Sequence, residues 1–99
     1  MIESISPFSK SQTIVGGKLG SCDLYVMKPG GVENKHFHNG IEIVLVLKGN
    51  CQTHKQGHGY MYRKGQIHEV INDSKNELIF ICLTIPAESQ KNTHYISSI

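Results

Sequence analysis

No apolar run in this sequence approaches the ~20 residues of a membrane-spanning helix, so a helical membrane protein is not expected. The opening residues, Met1-Ile-Glu-Ser-Ile-Ser-Pro7, lack the basic segment and apolar stretch of a secretory leader. A cytoplasmic location is the expectation. No Lys/Arg block occurs: ten basic and eight acidic residues are scattered along the chain, for a net charge of +2. Without a basic stripe interleaved with aromatics there is no footprint for nucleic acid. The three cysteines, Cys22, Cys51 and Cys82, form no CxxC and no even-numbered disulfide framework. Buried, reduced thiols are expected of them.

Helical periodicity is also nearly absent. What the chain has instead is short apolar-rich runs separated by glycine-bearing turns. The runs are Thr13–Val15, Cys22–Met27, Glu42–Lys48, Cys51–Lys55, Tyr60–Tyr62, Glu69–Ile71 and Leu78–Ile85, with an extended segment around His36 and His38. Breaks fall at Gly16-Gly17, Pro29-Gly30-Gly31, Gly49-Asn50, Gln56-Gly57-His58-Gly59 and Lys64-Gly65. About eight strands at intervals of ~8–12 residues predict an all-β antiparallel sandwich or closed barrel. Ninety-nine residues suit one domain, 1–99, with a barrel core over about 12–86 and a tail, 87–99, that is helix, loop or arm.

Six histidines are many for this length. His36 and His38 stand two residues apart in an extended segment, so both imidazoles point to one face. Asn39-Gly40 is a turn signal that brings the chain back, which places Glu42 at the start of the returning strand, beside the histidines. His68 opens another strand after Lys64-Gly65. Imidazoles and a carboxylate are intermediate ligands, suited to one divalent transition metal: Fe, Mn, Co, Ni, Cu or Zn.

The segment from Gly30 through His36-Phe-His38 and Glu42 to Gly49 resembles the first motif of the cupin superfamily: glycine, five residues, HxH, three residues, glutamate, six residues, glycine. Gly57 to Asn72, with its glycine, His68 and Asn72 in register, is similar to the second motif, departing at Arg63, where the family usually has proline, and at His58, where many members have an acidic residue. The resemblance implies a single-domain antiparallel jelly-roll β-barrel with a metal in its mouth. It implies His36, His38, Glu42 and His68 as the ligands. Burying such groups unpartnered costs several kcal/mol, which argues that a chain retaining all four also retains the metal.

Other residues are assigned as follows. Tyr60 and Tyr62 share a strand face and are either pocket-lining phenols or plain core aromatics. In the last strand, the mixed face of Phe80, Cys82 and Thr84 is expected to border the cavity, and the aliphatic face of Ile79, Ile81, Leu83 and Ile85 to serve packing. His54 and His58 are expected to face solvent in turns, His94 to be exposed in the tail, and Arg63 to be solvated. Both faces of Glu42–Lys48 are apolar, so the strand is expected to be covered on both sides, most economically in a homodimer.

With four protein ligands, an octahedral metal keeps two open positions, and a divalent centre with one net positive charge favours anionic, chelating small molecules. The family resemblance implies a small metalloenzyme of dioxygenase, decarboxylase or isomerase type. A non-catalytic module that holds a sugar or acid, or a scaffold with a vestigial site, would use the same residues.

Overall fold

The computed structural model describes residues 6–86 and 93–96. It is all-strand among those residues, in two antiparallel sheets. The elements are β1 (Phe8–Gly16), β2 (Ser21–Met27), β3 (Val32–His38), β4 (Ile41–Lys48), β5 (Gly59–Tyr62), β6 (His68–Ile71), β7 (Leu78–Ile85) and β8 (Thr93–Tyr95). A five-stranded sheet has the order β1-β2-β7-β4-β5, and a three-stranded sheet the order β6-β3-β8.

The alternation that marks these runs as strands also decides which side chains go inside. In β4, Glu42, Val44 and Val46 are buried while Ile43, Leu45 and Leu47 are exposed. In β7, Leu78, Phe80, Cys82 and Thr84 are buried and Leu83 and Ile85 are exposed. The mixed face of β7 therefore points inward as expected. The aliphatic faces of β4 and β7 lie on the outer surface of the five-stranded sheet, so within one chain they are not covered. Met27, Val44, Val46, Cys51, Val70, Leu78, Phe80 and Cys82 form the apolar core. Burying a side chain of this size contributes about 1.5–3 kcal/mol.

Two turns depend on glycine. At Gly40 a Cβ would run into the Ile85 carbonyl, so only glycine lets the chain pass. That passage carries it from β3 in one sheet to β4 in the other; the two strands do not pair. Gly65 has a φ of 77°, a left-handed conformation that other residues adopt at a cost, and its N–H donates to the His38 carbonyl at 2.9 Å. Asn72 is fully buried and works as a connector. Its amide donates to the carbonyls of Met27, Lys28 and Asn76, and its Oδ1 accepts from the Ser74 hydroxyl at 2.7 Å. Every polar atom of the side chain is thus engaged, which is what makes its burial tolerable.

Three expectations need correction. The barrel begins at Phe8 rather than near residue 12: β1 is a polar edge strand whose register against β2 is interrupted by two bulges, which hides its periodicity. Cys51–Lys55 is not a strand. The Cys51 N–H and thiol both donate to the His54 carbonyl, at 2.9 and 3.4 Å, which closes the segment into a turn. Part of the tail is strand β8, paired with β3; residues 87–92 and 97–99 lie outside the described residues.

Candidate metal centre

His36 and His38 project from β3 into the interior, as strand alternation requires. His68 opens β6 directly opposite His36 in the register of the small sheet. Glu42 reaches in from β4 of the large sheet, so the site bridges the two sheets. One ring nitrogen from each histidine lies within 4.8 Å of the others. The Glu42 carboxylate stands 2.7 Å from His38 Nε2 and 3.4 Å from His68 Nε2. All four side chains are buried.

The opposite edge of each imidazole is tied outward. His36 Nδ1 donates to the Asn34 carbonyl at 2.6 Å, and His68 Nδ1 to the Gln66 carbonyl at 3.1 Å. His38 Nδ1 lies 3.1 Å from the Thr93 hydroxyl, supplied by β8. A carbonyl accepts only, so in the neutral rings of His36 and His68 the proton sits on Nδ1 and the lone pair on Nε2 faces inward. Metal-binding histidines use the same outer-shell device. No ion is needed to build this geometry, and the residues fit one: three inward nitrogens and a carboxylate suit a divalent transition metal.

The charge state suits it as well. Burial pushes the Glu42 carboxyl up, but hydrogen bonds and charges from His38 and His68 outweigh this and hold it at about 2. Burial lowers the pKa of His36, and the neighbouring His68 and His38 add to the effect against the Asn34 carbonyl and Glu33. At neutral pH the set is therefore a carboxylate with a neutral imidazole at His36.

A cavity of about 40 Å³ adjoins the site, lined by Phe8, Tyr25, Glu33, His36, Glu42, Val70, Phe80 and Cys82. Phe80 and Cys82 border it, in keeping with their face of β7; Tyr60, Tyr62 and Thr84 are not among its lining residues. Tyr62 instead stacks on the His68 ring, with centroids 4.0 Å apart and planes 5° from parallel. Burial, then the negative charge of Glu42, raises the pKa of the Tyr62 phenol, so it stays protonated. Thr84 is fully buried opposite Glu42, and its hydroxyl makes no hydrogen bond among the described residues.

His54 corrects an expectation: it is 1% exposed, not a surface turn residue. The turn at Cys51 folds it beneath β5, where Nε2 lies 2.8 Å from the Tyr62 hydroxyl and Nδ1 2.7 Å from the Thr53 hydroxyl. Burial, with the nearby charge of His68, lowers its pKa to about 4. His58 and Arg63 are exposed as expected. His94 is half-buried, its ring stacked on Phe37. Phe8, Tyr25, Glu33 and Val70 were not among the pocket residues anticipated from sequence. A bulge in β3 between Glu33 and His36 turns Glu33 inward, and no periodicity announces it.

No family model matches the chain, and no curated protein matches it significantly. Solved structures do. A cupin domain from Bordetella pertussis Tohama I superposes with a TM-score of 0.66 at 20% identity, covering 86% of this chain and 100% of that one. A conserved protein with a double-stranded β-helix domain from Klebsiella pneumoniae gives 0.75 at 14% identity, over 98% and 91% of the two chains. The polyketide cyclase RemF from Streptomyces resistomycificus gives 0.76 at 12% identity, over 100% and 88%. Taken with the two antiparallel sheets and the inward histidines, these likenesses establish the jelly-roll architecture, and by fold the chain is a small cupin-like protein.

Proposed function

We propose that His36, His38, His68 and Glu42 hold one divalent transition metal, Fe, Mn, Co, Ni, Cu or Zn, and that the protein is a metalloenzyme acting on a small oxygenated molecule. The carrying observation is the outward tethering of each Nδ1, which orients the three imidazoles toward one point. When bound, such a metal supplies Lewis acidity or activates oxygen. The chain's own residues set what can reach it. Phe8, Tyr25, Val70 and Phe80 wall the cavity with apolar surface, and its small volume favours a compact ligand. One neighbour by fold is a polyketide cyclase, so the architecture is compatible with catalysis.

Elemental analysis of protein purified without a metal-chelating tag tests the metal. About one ion per chain is expected, and less than about 0.1 would overturn the proposal in favour of a vestigial site. Oxygen-electrode and mass-spectrometric screening of the loaded protein against small hydroxy acids, 2-oxo acids and diketones tests turnover. Retention of such a ligand without conversion would assign the site to a binding module instead.

The exposed Ile43, Leu45, Leu83 and Ile85 on the outer face of the large sheet support a homodimer formed through that face. A dimer mass is expected in sedimentation at micromolar concentration, with Leu45→Lys shifting it to monomer. A monomeric wild type overturns the dimer. None of the three cysteines is in a disulfide, which suits a reducing, cytoplasmic setting.

A further inference from the structure

The cavity beside the histidines contains two carboxylates, and only one of them belongs to the ligand set. Glu42 is engaged with His38 and His68. Glu33 is three residues before His36, a spacing at which strict alternation would put the two on opposite faces. The register of β3 against β6 shifts between these residues, and the inserted residue brings both to the inner face. Glu33 Oε1 then accepts a 2.6 Å hydrogen bond from the Tyr95 hydroxyl of β8, whose ring packs against His36 with centroids 5.3 Å apart. Its second oxygen, Oε2, has no partner among the described residues. Phe8, Tyr25 and Phe80 close the other side as an aromatic cluster, with centroids 5.0 to 6.2 Å apart.

From this arrangement we infer that Glu33 selects the ligand. Resting on the metal reading above, the inference names the class: a small oxygen chelator that presents a hydroxyl to Glu33, rather than a dicarboxylate. The four metal-facing groups leave a divalent centre with one net positive charge, and Glu33 cancels it across the cavity. A hydroxyl there donates to the open oxygen of Glu33. A second carboxylate meets a like charge in a partly desolvated space. Phe8, Val70 and Phe80 in the walls offer it no compensating donor. Tyr95 is a positioning residue: it fixes one oxygen of Glu33 and leaves the other to the ligand.

Glycolate and oxalate are matched in size and differ in exchanging a hydroxymethyl group for a carboxylate. The test titrates each into cobalt-loaded protein under argon, with the visible bands of the metal reporting binding. Glu33→Gln is expected to move the ratio of oxalate to glycolate affinity about tenfold toward oxalate, with cobalt content unchanged. Tyr95→Phe frees Glu33 to turn and moves the ratio the same way by less, which keeps the test open if Glu33→Gln fails to fold. A ratio within twofold of wild type in the folded variants overturns the role of Glu33 and leaves the metal reading standing. A wild-type protein that takes up no cobalt overturns both.

Discussion

The two sheets divide stability and chemistry unequally. The large sheet has long antiparallel strands, β2 paired with β7 in unbroken register and β4 with β7 in register from Ile41 to Val46, and supplies Met27, Val44, Val46, Leu78, Phe80 and Cys82 to the core. Val70 is the small sheet's one contribution to the buried apolar core among the described residues. Its strands are short, and its inner face is taken up by His36, His38 and His68. The large sheet is held by apolar burial. In the small sheet, nitrogens facing a shared point occupy the places where core side chains would otherwise sit, so on the metal reading proposed above its stability would depend on the ion.

The sharpest way to break this contrast is His68→Ala, which removes a donor from β6 opposite His36. Metal content is expected to fall to background by elemental analysis while the strand signal in far-ultraviolet circular dichroism persists. Chelation comes next. A ligand present at 1,000 times its Kd stabilises the folded state by about 4 kcal/mol. Stripping it should therefore speed amide exchange in β3 and β6 far more than in β4 and β7. Equal acceleration in both sheets would sink the comparison.

Thr93→Val is a smaller perturbation that leaves all four donors in place and removes only the hydroxyl beside His38 Nδ1. Losing an outer-shell partner of this kind costs about 10–100-fold in metal affinity, measurable by competition with a chromogenic chelator. A pH effect probes the core beside the site. His54 titrates at about 4 when folded against an ordinary value of 6.5. The unfolded chain therefore takes up the proton first, and stability falls as pH drops from about 6.5 to about 4. Urea midpoints of metal-free protein should show this slope, and His54→Gln should reduce it, leaving the part that comes from the lowered pKa of His36. Glu42, held at about 2, adds a separate loss only as pH falls from about 4.5 toward 2.

Much of the molecule is legible in its sequence because its most regular parts obey period two. β4 and β7 alternate without error over their buried stretches, so their inner faces can be read directly. The HxH pair is legible for the same reason, since two residues apart on a strand means one face. What escapes is whatever interrupts that period. β1 carries two bulges and polar residues along an edge, so its first residues look like loop. Glu33 is turned inward by a bulge that leaves no compositional mark. His54 sits in a turn, where composition suggests water. The hydrogen bonds that fold it under Tyr60 and Tyr62 run from Cys51 and to Tyr62, residues that local pattern does not connect. β8 is three residues long, too short for any periodicity to identify.

That short strand has a consequence for the timing of assembly. Chains are synthesised from the amino end, so all four donors leave the ribosome before Thr93 and Tyr95 do. A chain that has emerged only through β7 carries all four of these side chains, with Glu42 beside His38 Nε2, yet lacks the Thr93 hydroxyl that stands 3.1 Å from His38 Nδ1. The outer contact of His38 is therefore completed only when β8 docks along β3, so the site is finished by the strand that is made last.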